Sequence, residues 1–305
     1  MCGIVGLFAR DPSFEPSLAR HLSEMLVGMT SRGPDSAGLA LWSAPGAGVG
    51  RSRLSLLASS AADRGAEPPD WSALATEVES VVGGSVTAAD HGDAAVLSAE
   101  ADGEVMAAAV REIAPDVVAI GFGSAIEVFK HTGIARRLVD AYPVADRAAH
   151  QGLGHTRMAT ESAVTTAHSH PFCPADDLAL VHNGSFSNYA TVRRDLAADG
   201  VRFDTDNDSE VAARLIATRL AAGDDLAGAL GGVLDRMDGF FTLAVGTADE
   251  FAVVRDAFAC KPAVIAETDR YVAVASEYHA LSGLPEIEKA SVWEPMPEEV
   301  YRWAR

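Results

Sequence analysis

Cysteine is scarce in this chain: three in 305 residues, Cys2, Cys173 and Cys260, with no CxxC spacing among them. Cysteines so few and so spaced disfavour a disulfide framework, a structural zinc and an iron–sulfur cluster held by the chain itself. Positive charge is short too. Against 43 Asp and Glu stand 24 Lys and Arg, giving a net charge of -19 and a pI near 4.7. No basic cluster is present to follow a phosphate backbone, so nucleic acid is not an expected partner. No apolar run approaches the ~18 residues of a membrane span, and no basic region precedes an apolar core at the N-terminus. The sequence therefore predicts a cytoplasmic protein without membrane contact. An internal repeat and a glycine-rich phosphate loop are likewise missing.

What is present is an ordinary globular composition, 48% hydrophobic and 22% charged, enough for one large core or two modest ones. Residues 1–8 read as a buried strand. Leu18, Leu22, Met25, Leu26 and Met29 share one face of a helix over 16–29, stopped by Gly33-Pro34. Helical patterns at 71–82 and 103–113 and a strand-like run at 116–120 set residues 52–120 apart as an inserted small α/β module. After Gly152, strands at 153–159 and 178–181 are followed by helices at 188–198 and 208–222, closed by Gly200 and Gly223. The last third is strand-rich, at 240–245, 251–254, 262–266 and 271–275. Strands at both ends with helices between favour packed sheets inside helical layers over a parallel βαβ sheet.

Cys2 follows an initiator methionine that aminopeptidases remove ahead of small residues. Removal leaves a thiol and a free α-amine on one residue, and an amine of pKa near ~8 is partly neutral at physiological pH and can take the thiol proton. Alone, the pattern also describes a buried thiol in an N-terminal strand. Four further segments set polar residues beside glycine or strand residues: Arg32-Gly33-Pro34-Asp35-Ser36, Gly154-His155-Thr156-Arg157, His182-Asn183-Gly184 and Asn207-Asp208-Ser209-Glu210. A metal reading of His168, His170, Cys173 and His182 fits no common zinc spacing, and no metal is expected. His155 and His182 are expected as core histidines, and Cys260 as a small buried hydrophobe.

With MCGIVG, these segments resemble in order the signature set of class II glutamine amidotransferases, members of the N-terminal nucleophile hydrolases. The resemblance implies an α+β fold, a four-layer αββα sandwich, carrying the small α/β insertion. It implies that Cys2 attacks the glutamine side-chain amide, forming a γ-glutamyl thioester and releasing ammonia. Asn183 and the Gly184 N–H are then the oxyanion hole, Arg157 the partner of the substrate carboxylate and Asp208 that of its ammonium. Thr160 and Arg32 complete the substrate-binding set, Arg32 in the loop beside the nucleophile. Competing readings stand beside these roles. Asn183-Gly184 is a strong hairpin-turn signal, Asp208 is a natural helix N-cap unless Ser209 takes that place, and Arg32 could be a solvated surface arginine. Met158 and Glu161-Ser162 stand where the family often has an aromatic residue and a His-Gly pair, so a different pocket shape is expected.

RGPDSAG, GHTRMATES and HSHPF most resemble the separate amidotransferase subunits of glutamate synthase-like and N-methylglutamate synthase-like systems. That implies a hetero-oligomer with an ammonia-accepting partner subunit holding FMN and an iron–sulfur cluster, and no cofactor in this chain. No phosphoribosyl-pyrophosphate loop, sugar-isomerase region or ATP-pyrophosphatase signature is seen. The alternatives are an N-terminal nucleophile hydrolase acting on another amide, a non-catalytic glutamine-sensing subunit and a structural subunit.

Overall fold

The computed structural model describes residues 1–43, 50–58, 68–159 and 164–305. The chain opens with β1 (Gly3–Ala9), α1 (Glu15–Gly28) and β2 (Ser36–Trp42). Then come β3 (Ser52–Ala58), α2 (Trp71–Val82), β4 (Val86–Asp90), β5 (Ala94–Ala99), α3 (Gly103–Ile113) and β6 (Val117–Gly123). The middle holds β7 (Ile126–Thr132), α4 (Ala135–Ala141), β8 (Gln151–Arg157), β9 (Phe172–Ala175) and β10 (Leu178–Phe186). Helices α5 (Tyr189–Ala198), α6 (Asp208–Ala221) and α7 (Leu226–Arg236) follow, and then β11 (Gly239–Gly246), β12 (Glu250–Arg255), β13 (Val264–Glu267), β14 (Tyr271–Ala275), β15 (Ser291–Trp293) and β16 (Tyr301–Ala304).

Seven strands in the order β15-β13-β14-β1-β8-β2-β7 make one sheet, and five in the order β16-β12-β11-β10-β9 a second. All seven residues of β1 are buried. Its uninterrupted apolar sequence suits a strand covered on both faces. One face meets α1, whose Leu18, Leu22 and Leu26 are fully buried, and the other meets the second sheet through Val181, Ala244, Phe251 and Val253. Burying each such leucine contributes about 1.5–3 kcal/mol. The outer face of the second sheet packs Leu180, Phe241, Leu243 and Val245 under Val211, Leu215 and Ile216 of α6 and Leu230 and Val233 of α7. The layers are therefore helix, sheet, sheet, helix.

Strands β3, β4, β5 and β6 form a third sheet in the order β4-β5-β3-β6, with Trp71, Val78, Met106 and Val110 of α2 and α3 packed on Leu54, Leu56 and Leu97. Asp70 caps α2 by accepting from Ser72 N and Ala73 N, and Asp102 caps α3 by accepting from Glu104 N and Val105 N. The turn from β6 to β7 is tied to the main body by Asp177, whose carboxylate accepts from the Ser124 N–H and hydroxyl and from Ala125 N and Ile126 N.

Several elements differ from the sequence expectation. Strand β10 runs on from 178–181 straight through Asn183-Gly184, pairing Asn183 with Thr242 and Gly184 with Phe241. The hairpin turn is ruled out because β11 supplies a full ladder partner there. Helices α4 and α7 and strand β7 are additional elements, and β8 ends at Arg157 rather than at residue 159. Cys260 is exposed, because it falls in the link between β12 and β13 rather than on a strand.

Candidate active site

Cys2 stands immediately before β1, at the end of the first sheet where Gly3 pairs with Thr156 of β8. Its thiol lies against the chain just past β8: the Met158 N–H donates to Sγ at 3.4 Å, and Sγ is 3.7 Å from the Met158 carbonyl oxygen. Its carbonyl is gripped twice, by Arg32 Nε at 2.8 Å and by Asn183 Nδ2 at 3.1 Å. The Arg32 side chain is only 8% exposed and donates through Nη1 to Glu277 Oε1 at 2.5 Å, which removes the solvated-surface reading. The loop after α1 follows β8 closely. Gly33 is required there, since a Cβ would stand 2.4 Å from the carbonyl carbon of Thr156. Two residues on, Asp35 N–H donates to the Arg157 carbonyl at 3.1 Å and its carboxylate accepts from Ala159 N at 2.8 Å.

Asn183 reaches across from the second sheet. Both hydrogens of its amide are engaged, with the Cys2 carbonyl and with Ser276 Oγ at 2.9 Å, and Ser276 in turn accepts from Ile4 N. The amide oxygen accepts from His155 Nε2 at 3.1 Å, a proton shared with the His182 carbonyl at 3.0 Å. These partners fix which end of the amide faces Cys2.

The direction of the Gly184 N–H follows from the ladder. Opposite it, Phe241 turns its N–H and carbonyl to Asp256 on the far side. Gly184 and Phe241 are thus a non-hydrogen-bonded pair, and Gly184 points its N–H away from β11. Phe186, two residues along and facing the same way, donates its N–H to Asp208 Oδ2 at 2.9 Å. On that side β9 pairs β10 only as far as Leu180. The backbone at Gly184 has φ of 143°, and a Cβ there would fall 1.9 Å from the Phe240 carbonyl oxygen, so no other residue fits without displacing β11.

Asp208 is the first residue of α6, not its cap. Asn207 is the cap, its side chain accepting from Ser209 N at 2.9 Å; neither Asp208 nor Ser209 is needed for that duty. The Ser209 hydroxyl donates to Asp208 Oδ1 at 3.2 Å and so accepts from His182 Nδ1 at 2.8 Å. Arg157, 5% exposed at the end of β8, carries a guanidinium whose pKa burial lowers, against the pull of Cys2, Asp35, Asp206 and Asp208 around it. It remains charged at any working pH. Thr160, together with Glu161 and Ser162, lies outside the described residues.

Three buried histidines back the site, and all are neutral. Burial, helped by neighbouring His182, pushes His155 down to about 3, and burial pushes His182 down to about 4. His170, its ring centroid 4.1 Å from that of His155, is held well below the ordinary value by burial and by both neighbours. His155 orients Asn183, and His182, by way of the Ser209 hydroxyl, orients Asp208, without adding charge. Sequence reasoning placed His155 and His182 in the core but missed their hydrogen bonds toward the site, and it missed Ser276 and Glu277 as partners of Asn183 and Arg32. The only available signal was their place directly after an apolar strand.

Together, the structure brings Cys2, Arg32, Asn183 and Gly184 to one seam between the sheets, with Asp208 bonded to the same stretch of β10 and Arg157 at the adjoining end of β8. A thiol, an amide donor, a backbone N–H, a cation and a carboxylate are the elements needed to hold an α-amino acid and attack its side-chain carbonyl. Among the described residues, no group of three or more His, Cys, Asp or Glu is placed to hold a metal, and no helix is long and apolar enough to cross a membrane.

Residues 155–283 match a family model described as a glutamine amidotransferase domain. The chain is 47% identical to the glutamine amidotransferase-like protein GlxB of Rhizobium meliloti, over 99% of this chain and 98% of that one. It is 42% identical to a glutamine–fructose-6-phosphate aminotransferase of Mycolicibacterium paratuberculosis, over 42% of this chain and 21% of that one. In structure it is similar to the glutamine phosphoribosylpyrophosphate amidotransferase of B. subtilis, with a TM-score of 0.61 at 16% identity, over 99% of this chain and 49% of that one. That likeness establishes a shared α+β fold.

Proposed function

The chain belongs to the glutamine amidotransferase family, and from that premise we propose that it hydrolyses the side-chain amide of glutamine through Cys2 and passes the ammonia to a partner subunit. The observation that carries this reading is the double grip on the Cys2 carbonyl by Arg32 and Asn183, which anchors a potential N-terminal nucleophile beside an amide donor from the facing sheet.

With Met1 removed, the Cys2 α-amine takes the thiol proton and Sγ attacks the side-chain carbonyl carbon of glutamine. The carbonyl π pair moves onto oxygen. Asn183 Nδ2 and the Gly184 N–H receive that oxyanion; since both amide hydrogens are already engaged, the oxyanion competes for the longer of the two bonds, that to the Cys2 carbonyl. Collapse breaks the C–N bond, and the proton on the α-amine leaves with the nitrogen as ammonia. Water, deprotonated by the same amine, then cleaves the thioester to glutamate and restores the thiol. Arg157 holds the substrate carboxylate and Asp208 its ammonium, a pair that suits a free α-amino acid better than other amides. Thr160 joins the substrate-binding set by its place in the same segment as Arg157. Arg32, pinned by Glu277, positions the nucleophile.

The proposed ammonia acceptor is a glutamate synthase-like subunit carrying FMN and an iron–sulfur cluster. Support for it comes from the RGPDSAG, GHTRMATES and HSHPF segments. The three cysteines of this chain are dispersed, one at the seam, one on β9 and one in the exposed β12–β13 link, so such a cluster belongs to the partner.

The test is glutamate and ammonia release from glutamine by protein whose N-terminus is confirmed by mass spectrometry to start at Cys2, beside Cys2→Ala. Turnover by the wild type and none by Cys2→Ala, with glutamine binding retained, is the expected result. Undiminished turnover by Cys2→Ala would overturn the mechanism.

A further inference from the structure

We propose that a second site, apart from the glutamine pocket, binds a small organic carboxylate in the cavity between the four-stranded sheet and the helical flank of the main body, with Lys130 as its anion anchor. The cavity measures about 300 Å³ and is walled by α3 and β6 on one side and by β7, β9 and residues 204–214 on the other. That size lies at the lower end of small-molecule sites, ~300–1,000 Å³.

Lys130 on β7 lines the cavity, yet it is only 4% exposed. Among the described residues its ammonium makes no hydrogen bond and no ion pair; its one organised contact is the Phe172 ring, 5.3 Å from Nζ to the centroid. Burial lowers its pKa to about 8, against the pull of nearby acidic groups, Glu210 and Asp204 among them, which still leaves it mostly protonated at neutral pH. A buried cation kept without a partner is costly to the fold, and an anion in the cavity would relieve that cost.

The lining acids do not serve as that anion. Glu210 already accepts from Asp204 N, from the Thr205 N–H and hydroxyl, and from Arg214 Nε. Asp204 is paired with Arg214 at 2.7 Å. Arg111, exposed, and Arg214, tied to Asp204 and Glu210, are the other cations of the lining. Val110, Val117 and Ile120 supply apolar wall, so the ligand has a charged end and an apolar body. With three cations and two acids on its lining, the cavity suits a singly charged carboxylate better than a doubly charged phosphate. Cys173, also on the wall, is neutral, its thiol pushed up to about 12 by burial.

Nothing in amide hydrolysis uses this cavity, so the inference stands apart from the glutaminase reading. The two sites do share a wall, because the 204–210 segment that borders the cavity also carries Asp208.

The test is calorimetric titration of the full chain with benzoate, and with benzamide as its neutral counterpart, at pH 7. Wild type is compared with Lys130→Met, with Ala119→Leu, which fills part of the apolar wall, and with Arg157→Ala, which disables the glutamine pocket. Benzoate is expected to bind at least tenfold more tightly than benzamide. That preference should be lost in Lys130→Met, benzoate affinity should fall in Ala119→Leu, and Arg157→Ala should leave it intact. Raising the pH from 7 to 9 should weaken binding as Lys130 loses its proton. The other charged and titratable groups around Lys130 are Arg111, Arg214, Asp204, Glu210, His170 and Cys173, of which burial keeps His170 and Cys173 neutral. Equal affinity for benzoate and benzamide, unchanged benzoate binding in Lys130→Met, or no benzoate binding at millimolar concentration would overturn the proposal. If Lys130→Met fails to fold by circular dichroism, Ala119→Leu alone decides it.

Discussion

Truncating Asn183 to alanine removes an amide that receives His155 on one side and donates to Cys2 and Ser276 on the other. Loss of a single oxyanion donor costs about two to three orders of magnitude in rate. Asn183→Ala should therefore lower kcat by that factor and change KM much less, a split that steady-state kinetics reads directly. Arg157→Ala should do the opposite. A charge-assisted hydrogen bond contributes about 1.5–3 kcal/mol, so KM for glutamine should rise about 10- to 100-fold. At this scale the sequence was legible in which residues meet: Cys2, Arg32 and Asn183, singled out from separate segments, come together in hydrogen bonds. It was not legible where a role depends on neighbours distant in the chain: Glu277 on Arg32 and Ser276 on Asn183 are separated from their partners by 245 and 93 residues.

Among the elements, α6 shows how a cap and a site residue are kept apart. Asn207 takes the capping bond and leaves the carboxylate of Asp208 to the Phe186 N–H and the Ser209 hydroxyl. Asn207→Ala should cost about 1 kcal/mol, measured as a lower urea midpoint, and should also raise KM by loosening the turn that holds Asp208. Helices with a clear apolar stripe and an aspartate ahead of them, α2 and α3, were readable to the residue, as was β14 with its unbroken valines and alanines. By contrast α7, LAGALGGVLDR, hides its buried face behind three glycines, and β10 hides its length behind an Asn-Gly pair that local propensity assigns to a turn. There, pairing with β11 overrides the local signal.

Over the whole molecule, the neutral histidines make acid the expected weakness. His155, His170 and His182 each have a pKa depressed in the folded state by burial, while the unfolded chain binds protons near the ordinary value of ~6.5. Between about pH 6.5 and about pH 4 the unfolded state thus holds more protons, and stability falls as the pH is lowered. The slope is up to about 1.4 kcal/mol per pH unit for each histidine. Urea midpoints should be unchanged by these groups above pH 7 and should drop steeply between pH 6 and 5. Replacing His170, the one with neither ring nitrogen bonded, by phenylalanine should flatten that slope.

The bond from Asn183 to the Cys2 carbonyl joins a residue of the second sheet to the residue that leads into the first. Such a bond makes the site a caliper set to the gap between two slabs, reading their separation to a fraction of an ångström. Any slackening of the interior that Phe8 and Phe251 share, their rings 6.4 Å apart, opens the jaws before it melts a strand. In rising urea, then, glutamine turnover should fade ahead of the far-ultraviolet circular dichroism signal.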